Sequence, residues 1–589
     1  MGRLNAARFR TSNRINLGEQ SNSANFAGKS ETAVFPHHPI FPKVRMRFLL
    51  FPLLALCAFA PLYSQNRPDP PKLIVGIVVD QMRYDYLYKY YDKYSEDGFK
   101  RLLREGFSFE NAHFNYMPTY TAPGHAAIYT GTTPSVNGII SNEWWDPEWG
   151  QHRYVTADTT VQTVGAEGKV GQHAPRVLLS STITDELRLS NDGRSKVVGI
   201  CLKDRGSILP AGHIPNACFW FDDKGGNWIT STYYQDSLQL PDWVKAFNAR
   251  RLPDLYMAQP WTPKFPLDSM PESFNGWSYK KRLGNNTGFP YDLPGMLKSS
   301  GNYGAIRYTP LGNRLTTDFA LEALDAMQLG GDAYPDFLCL SYSSTDYCTH
   351  HFGVHAAETQ DTYLRLDEDL ARLLNILDQK FGKNQVLVFL TADHGGAETP
   401  QHLHDLQFPV GVFREGRMEK LLDSVLASIY LQPGKYVQEV NNQQVWLHTE
   451  GLLEAGIAPA DAAEAIIEYL KAQPGVYDAF TAEYAQMLSA DYPFISEIRR
   501  GLHPRRSGDI LYLLDPAWHA DDQSFLTAGT THGSPYAYDT HVPLLWYGWR
   551  TPPGESRAPV SITDIAPTLA AMLRIMEPNG TTGKVIADW

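Results

Sequence analysis

The chain contains five runs rich in β-branched or apolar residues. They lie at 72–80, 195–203, 336–346, 385–394 and 541–548. Runs without polar alternation are typical of strands that are covered on both faces, as in a parallel sheet. The sequence therefore predicts a buried sheet whose strands come from widely separated parts of the chain.

Helical patterns separate these predicted strands. Apolar residues recur with helical periodicity over residues 97–105, 178–189, 314–328 and 356–378. The alternation of strands and helices predicts an α/β fold, with a doubly wound, mostly parallel sheet and helices on both of its faces. In such a sheet, ligands bind beyond the carboxyl ends of the strands.

Two long stretches do not follow this alternation. Residues 206–310 are rich in Trp, Tyr, Pro, Asn and Gly, and residues 405–505 mix short helical patterns with a strand-like pattern. We expect both to be insertions that cap the site. The predicted organisation is one catalytic domain over 66–589 with insertions near 206–310 and 405–505.

Residues 1–65 differ from the rest of the chain. Their apolar run at 48–61 follows three basic residues, precedes a polar stretch, and is too short to span a bilayer comfortably. This order of regions indicates a signal peptide, with a short membrane anchor as the alternative. We expect the natural start at Met46 and a periplasmic or secreted protein, with no stable membrane insertion after cleavage.

The net charge of the chain disfavours one class of function, nucleic-acid binding. The formal net charge is −12, and it becomes more negative when the basic residues 1–65 are removed. A chain this acidic is a poor ligand for nucleic acid. We therefore expect an anionic substrate to bind through a local positive centre such as metal ions.

Four cysteines follow the predicted leader: Cys201, Cys218, Cys339 and Cys348. None of them belongs to a CxxC pair. Because exported proteins can carry structural disulfides, the sequence leaves open whether Cys201 and Cys218 form a bridge or remain buried thiols.

Carboxylates and imidazoles follow the predicted strands. The candidate metal ligands are Asp80, Asp346, His350, Asp393, His394 and His532. Each alone is more often a cap or a polar surface residue, and His351 and His355 are expected not to be ligands. Together they form a nitrogen and oxygen donor set that suits zinc. Six ligands divide into two sites of three, and two metals can hold both the attacking and the leaving oxygen of a phosphoryl displacement.

The segment PTYTAPGH at 118–125 supplies a candidate nucleophile. Pro123 suits the first turn of a helix, which places Thr121 at a helix N-terminus, where anions are stabilised. A threonine hydroxyl is a weak nucleophile unless a base or a metal ion activates it. Without the metal ligands, Thr121 would be interpreted as a simple N-cap.

These motifs resemble the alkaline phosphatase superfamily, in the branch shared with nucleotide pyrophosphatase/phosphodiesterases. The resemblance covers most of the chain after the predicted leader. The segments that carry it are VVDQMRYDYL, PTYTAPGH, STDYCTHHFG, TADHGG, THGSPYAYDTHVPLL and the predicted DIAPTLA helix.

The resemblance implies a role for each matching residue. Asp346, His350 and His532 match one zinc site of the superfamily. Asp80, Asp393 and His394 match the other, toward which Thr121 bridges. Asn142 matches an asparagine that donates a hydrogen bond to a phosphoryl oxygen.

A further segment, CLKDRGSILPAGH at 201–213, resembles that of monomeric PafA-type bacterial alkaline phosphatases. The resemblance implies that Lys203 and Arg205 contact the phosphoryl group. Two fixed cations suit the dianionic phosphoryl group of a monoester. Alone, the KDR sequence would fit a solvated turn equally well.

The sequence therefore predicts zinc-dependent hydrolysis of small phosphate monoesters through a phosphothreonine intermediate. We expect two zinc ions per chain, a monomer and no nucleic-acid partner. A phosphodiesterase or nucleotide pyrophosphatase on the same scaffold is the alternative, and the Lys203 and Arg205 pair argues against it.

A sulfatase is disfavoured because no C-x-P-S-R or S-x-P-S-R motif occurs. The export signal disfavours a phosphoglycerate-mutase-like enzyme, and the complete ligand set disfavours a catalytically inactive binding protein.

Overall fold

A computed structural model describes residues 69–270, 273, 278–520 and 529–587 of the chain. The predicted signal peptide and the expected start at Met46 lie outside the described residues. Among the helices that are described, none is long and apolar enough to cross a membrane.

A ten-stranded sheet forms the centre of the fold. Its strands, in chain order, are β1 (Leu73–Val79), β2 (Phe107–Phe109), β3 (Thr163–Val164), β4 (Val197–Cys201), β5 (Ala217–Asp222), β6 (Asn227–Ser231), β7 (Asp336–Tyr342), β8 (Val386–Thr391), β9 (Leu544–Gly548) and β10 (Gly554–Ser556). They are ordered β10-β2-β9-β8-β1-β7-β4-β5-β6-β3 across the sheet.

The five strands at the middle of this sheet, β8, β1, β7, β4 and β5, run parallel. Every residue of these strands is buried. Since alternate side chains of a strand point to opposite faces, both faces of the sheet are covered. The predicted α/β class and the mostly parallel sheet are confirmed.

Helices pack around this sheet in two groups. In chain order they are α1 (Phe99–Glu105), α2 (Thr121–Thr130), α3 (Ile183–Leu189), α4 (Asp204–Ala211), α5 (Pro310–Ala326), α6 (Ser344–Phe352), α7 (Ala357–Phe381) and α8 (Ile565–Leu573). Helices α2, α3, α4 and α8 contact one another, and α5, α6 and α7 form a second group that α1 joins through α7. Their apolar sides and the sheet form one large hydrophobic core.

The boundaries of several predicted elements differ from the observed ones. The strand predicted over 336–346 ends at Tyr342, and α6 begins at Ser344. The strand predicted over 195–203 ends at Cys201, so that Lys203 is the N-cap residue of α4. In both places the polar residues after the apolar run belong to the next helix.

The first predicted insertion, near 206–310, is partly integral to the sheet. Strands β5 and β6 lie within it, with β5 parallel to β4 and β6 antiparallel to β5. The remainder contains the helices Asp242–Ala249 and Leu293–Ser300. Cys201 and Cys218, on the adjacent strands β4 and β5, are separate buried thiols.

The second irregular stretch forms a smaller sheet. Its strands are Val437–Asn441, Gln444–Leu447, Val476–Thr481 and Ile510–Leu514, so it extends beyond the predicted end at residue 505. The helices Glu415–Tyr430 and Pro459–Lys471 pack on it around a separate hydrophobic cluster. A third helix, Ile495–Gly501, reaches the segment before Thr121, where Met117 N donates to Glu497 O.

Candidate active site

The candidate site lies where the parallel strands end. Asp80 follows β1, and its backbone N–H donates to the carbonyl of Tyr342 at the end of β7. Asp393 lies two residues after β8, which pairs with β1 on its other side. Strand β9 is antiparallel to β8, so the loop that precedes it, with His532, reaches the same edge of the sheet.

One candidate metal group consists of Asp346, His350 and His532, whose ligand atoms lie within 4.8 Å of one another. Asp346 and His350 are four residues apart on α6, and His350 Nε2 lies 3.1 Å from Asp346 Oδ1. His532 Nε2 lies 3.9 Å from the same oxygen. A single turn of helix and one loop thus bring these three side chains together.

A second group consists of Asp80, Asp393 and His394, and it satisfies the same 4.8 Å limit. His394 Nε2 lies 3.6 Å from Asp80 Oδ1 and 3.7 Å from Asp393 Oδ2. All three residues are fully buried. The rings of His394 and His532 stack with centroids 3.5 Å apart, so the two groups adjoin.

The three imidazoles are oriented as metal ligands are. His350 Nδ1 donates to Thr530 O at 2.7 Å, His532 Nδ1 donates to Thr119 O at 2.7 Å, and His394 Nδ1 donates to Gly395 O at 2.9 Å. A backbone carbonyl only accepts, so the proton is on Nδ1 and the Nε2 lone pair faces the group. Burial also lowers the pKa of His394 and of His532, which keeps both rings neutral.

Each of the three aspartates in these groups has one buried oxygen that accepts no hydrogen bond from the described residues. Asp80 Oδ1, Asp346 Oδ1 and Asp393 Oδ2 are buried oxygen atoms without a hydrogen-bond donor among the described residues. Burial and the charges of Asp346 and Asp393 raise the pKa of Asp80 well above its usual range. Buried acceptors with excess negative charge need cations, so the donor set fits two divalent metal ions.

Thr121 begins α2 beside the second group. Its side chain is nearly fully buried, and Oγ1 lies 3.5 Å from His394 Nε2. Gly124, one turn into the helix, allows this approach because a Cβ there would lie 2.2 Å from Asp393 O. The hydroxyl therefore lies at the N-terminus of a ten-residue helix and next to a candidate metal ligand.

Asn142 is held against the same helix. The backbone N–H of Ala122 donates to Asn142 Oδ1 at 2.9 Å. An amide whose oxygen accepts in this way presents its Nδ2 group as a donor. Asn142 is therefore bonded to the residue that directly follows Thr121 at the start of α2.

Lys203 joins the two candidate metal groups. Its Nζ donates to Asp80 Oδ2 at 2.7 Å and to Asp346 Oδ2 at 2.6 Å. Burial alone would lower the pKa of Lys203, but the charges of Asp346 and Asp80 outweigh it and raise the pKa. The ring of Tyr347 faces the ammonium at 5.0 Å. A permanently charged lysine thus contacts one carboxylate of each group.

Arg205 is two residues further on, in the first turn of α4. Its Nη1 donates to the hydroxyl of Tyr154 at 2.9 Å. That hydroxyl also lies 3.0 Å from Asp204 Oδ2, and Thr156 Oγ1 donates to Asp204 Oδ1 at 2.5 Å. Tyr154, itself held by Asp204, therefore fixes Nη1 of the Arg205 guanidinium.

All ten residues predicted for the site are thus brought together at one edge of the sheet. The sequence did not predict two of their partners, Tyr154 and His125. His125 Nδ1 donates to Thr121 O at 2.8 Å and lies 3.3 Å from Asp393 Oδ2. Its position four residues after Thr121 was a usable signal, because residues at this spacing share a helix face. Tyr154 gave none.

A third cluster of potential ligands, His355, Glu398 and His402, lies elsewhere in the described chain. Arg83 Nη1 donates to Glu398 Oε1 at 2.9 Å, and Lys89 Nζ lies 3.0 Å from His355 Nδ1. An ammonium cannot accept a hydrogen bond, so His355 carries its proton on Nε2, which lies 2.8 Å from Glu398 Oε2. This is an ion-pair network, and we assign no metal to it.

Comparison with known proteins places this arrangement in a family. The family model for type I phosphodiesterase / nucleotide pyrophosphatase matches residues 74–535, which contain every residue of the site. The chain belongs to this family. One solved structure superposes closely on the chain. The crystal structure of wild-type alkaline phosphatase PafA matches with a TM-score of 0.85 at 42% identity, covering 88% of this chain and 99% of that chain.

Two curated relatives resemble the chain over nearly its whole length. A protein of Myroides odoratus named calcium-transporting ATPase is 44% identical over 92% of this chain and 99% of its own length. Alkaline phosphatase PafA of Elizabethkingia meningoseptica is 42% identical over 89% of this chain and 95% of its own. A second PafA structure, of a variant substituted at one threonine, one asparagine, one lysine and one arginine, has a TM-score of 0.84 at 41% identity, covering 88% of this chain and 99% of that chain.

Proposed function

We propose that this protein is a zinc-dependent phosphomonoesterase that acts through a phosphothreonine intermediate. The position of Lys203 carries the proposal, since its Nζ lies 2.7 Å from Asp80 and 2.6 Å from Asp346. These carboxylates belong to different ligand groups, so a fixed cation contacts both. Thr121 lies beside the same cluster and is the nucleophile in this account.

Each ligand group would hold one zinc ion. Asp346, His350 and His532 would hold one ion, and Asp80, Asp393 and His394 would hold the other, with Thr121 beside it. When bound, zinc neutralises charge on the phosphoryl oxygens and lowers the pKa of a coordinated hydroxyl. The neutral Nε2 atoms and the buried acceptor oxygens support this assignment.

Thr121 attacks the phosphorus atom after its hydroxyl proton has passed to solvent. A bond forms between Oγ1 and phosphorus while the bond from phosphorus to the leaving oxygen breaks, and the leaving alcohol takes up a proton. Water then attacks the phosphothreonine, which releases inorganic phosphate and restores the hydroxyl. The N-terminus of α2 stabilises negative charge on the transferred group in both steps.

Three side chains would select a monoester. Lys203, Arg205 and the Nδ2 group of Asn142 donate to phosphoryl oxygens, and one of these oxygens is alkylated in a diester. In the substituted PafA variant, a threonine, an asparagine, a lysine and an arginine occur in the same chain order as here. The lysine and the arginine are two residues apart in both chains. This parallel supports the four assignments.

A phosphodiesterase or nucleotide pyrophosphatase is the second candidate, because the family description names those activities. The pair formed by buried Lys203 and partly exposed Arg205 favours the monoesterase, since a diester offers less negative charge for two cations to contact. The relative named an ATPase is compatible with either candidate. The terminal phosphoryl group of ATP is attached through a single oxygen, as in a monoester.

The cellular setting follows from the leader sequence. We infer that the protein is exported to the periplasm or secreted, and acts as a monomer on small phosphorylated molecules. The basic, apolar and polar regions within residues 1–65 support export. The acidic net charge supports small anionic substrates bound at a metal centre rather than nucleic acid.

A comparison of two substrates tests the proposal. We expect kcat/KM for an aryl phosphate monoester to exceed that for its methyl diester by at least about a hundredfold when zinc is supplied, a difference of roughly 2.7 kcal/mol. A preference for the diester would replace the monoesterase by the second candidate.

A further inference from the structure

The smaller sheet reaches the candidate site through the turn of one hairpin. The strands Val437–Asn441 and Gln444–Leu447 are antiparallel and are joined by Asn442 and Gln443. Both turn residues have positive φ angles, 56° and 59°. Consecutive residues of this kind form the tight turn that joins two twisted strands, and asparagine tolerates it well.

The side chain of Asn442 spans the segment that carries Asn142. Ser141 Oγ donates to Asn442 Oδ1 at 2.7 Å, and Asn442 Nδ2 donates to Glu143 O at 2.8 Å. Ser141 and Glu143 are the two chain neighbours of Asn142. Asn442 is only 7% exposed and Ser141 is 1% exposed, so water competes little for these hydrogen bonds.

The turn is itself held in place. Gln443 N donates to Glu415 Oε1 at 2.7 Å. This bond connects the turn to the helix Glu415–Tyr430, which packs on the smaller sheet. Gln443 Nε2 donates to Gly533 O at 3.4 Å, and Gly533 directly follows His532. The hairpin therefore contacts the loops of both Asn142 and His532.

We propose that Asn442 is a positioning residue that sets the orientation of the Asn142 side chain toward the transferring phosphoryl group. This inference rests on the proposed function, in which Asn142 donates to a phosphoryl oxygen. The Oδ1 atom of Asn142 is fixed by Ala122 N, so its Nδ2 direction depends on where the backbone of residues 141–143 lies. Asn442 bonds both chain neighbours of Asn142, through the side-chain hydroxyl of Ser141 and the backbone carbonyl of Glu143. The smaller sheet thus takes part in phosphoryl recognition.

Three substitutions separate this role from a structural one. Asn442→Gly removes both hydrogen bonds and keeps a residue that tolerates positive φ. Ser141→Ala removes only the hydrogen bond between Ser141 Oγ and Asn442 Oδ1, by changing the other residue of the pair. It therefore keeps the proposal testable if Asn442→Gly does not fold. Asn441→Ala is the matched control, because Asn441 Nδ2 donates to Glu439 within the hairpin at 3.2 Å.

The measurements are kcat/KM for an aryl phosphate monoester and the Kd of inorganic phosphate, each in the wild-type and the Asn142→Ala backgrounds. We expect Asn442→Gly to lower kcat/KM about tenfold and to weaken phosphate binding, because small displacements of a contact residue are costly. Ser141→Ala should show a smaller effect in the same direction. The zinc content of both variants should match that of the wild type. The Asn441→Ala control should match the wild type in kcat/KM and in phosphate binding.

The double-mutant cycle decides the proposal. In the Asn142→Ala background, Asn442→Gly should change kcat/KM by less than about twofold, because the group that it positions is gone. An equal loss in both backgrounds, or no loss in the wild type, would overturn the positioning role while leaving the phosphatase proposal intact. If Asn142→Ala itself had no effect, the proposed contact of Asn142 would fail, and this inference with it.

Discussion

The ammonium group of Lys203 lies 2.6 Å from Oδ2 of Asp346. The other oxygen of that carboxylate, Oδ1, faces His350 at 3.1 Å. One aspartate therefore contacts both a residue that we assign to the phosphoryl group and a residue that we assign to a metal. Because the two functions share a side chain, every substitution in the site should be assayed for metal content as well as turnover.

The first prediction concerns Thr121. Turnover of an aryl phosphate should pass through phosphothreonine, which survives an acid quench and can be located by mass spectrometry. Thr121→Ala should lose most of kcat while keeping its fold and metal content, and Thr121→Ser should retain appreciable activity because the hydroxyl remains. Phosphate found on any other residue would refute the assignment.

The second prediction concerns the metals. Elemental analysis of the zinc-reconstituted protein should give about two zinc ions per chain, since six ligands form two groups of three. Asp393→Ala should reduce this number, because it removes one ligand and leaves the others incomplete. His355→Ala, in the third cluster, is the control and should leave it unchanged. One zinc or fewer in the wild type would contradict the two-metal account.

The third prediction concerns Tyr154, whose hydroxyl accepts from Arg205 at 2.9 Å. Tyr154→Phe removes this bond and leaves the ring, so Arg205 should lose part of its fixed orientation. We expect kcat/KM for the monoester to fall roughly fivefold to tenfold, in keeping with about 1–1.5 kcal/mol for one such hydrogen bond. Tyr233→Phe, which removes a hydroxyl that donates to His213 O, is the control. Equal effects of the two substitutions would indicate a general loss of stability.

Much of the fold, and the proximity of the candidate site residues, could be predicted from the sequence. The strands β1, β4, β7 and β8 lie in largely apolar runs, and Asp80, Lys203 and Asp393 lie just beyond the ends of three of them. The carboxyl ends of parallel strands share one edge of a sheet, so proximity of these residues followed from topology alone.

The remainder depends on tertiary contacts that leave no local pattern. Nothing near Tyr154 indicates that Arg205, from another element, donates to it. The smaller sheet was expected to cap the site, but helices intervene between its hairpin and each of its other two strands, so no simple sequence pattern marks it. The contacts of Asn442 with both neighbours of Asn142 join residues that are 301 and 299 positions apart in the chain, and only the folded structure reveals them.

The central claim is that Lys203 and Arg205 recognise the charged oxygens of a monoester. Its most direct test compares wild type and the Lys203→Ala/Arg205→Ala variant on an aryl phosphate monoester and its methyl diester, at equal zinc content. Lys196→Ala is the control, because Lys196 Nζ bonds Met327 O beside the opposite end of β4.

Removal of both cations should lower kcat/KM for the monoester at least about a hundredfold more than for the diester, or roughly 2.7 kcal/mol of discrimination. The individual losses need not add, since both side chains contact one phosphoryl group. Equal losses on the two substrates, or a larger loss on the diester, would contradict the account.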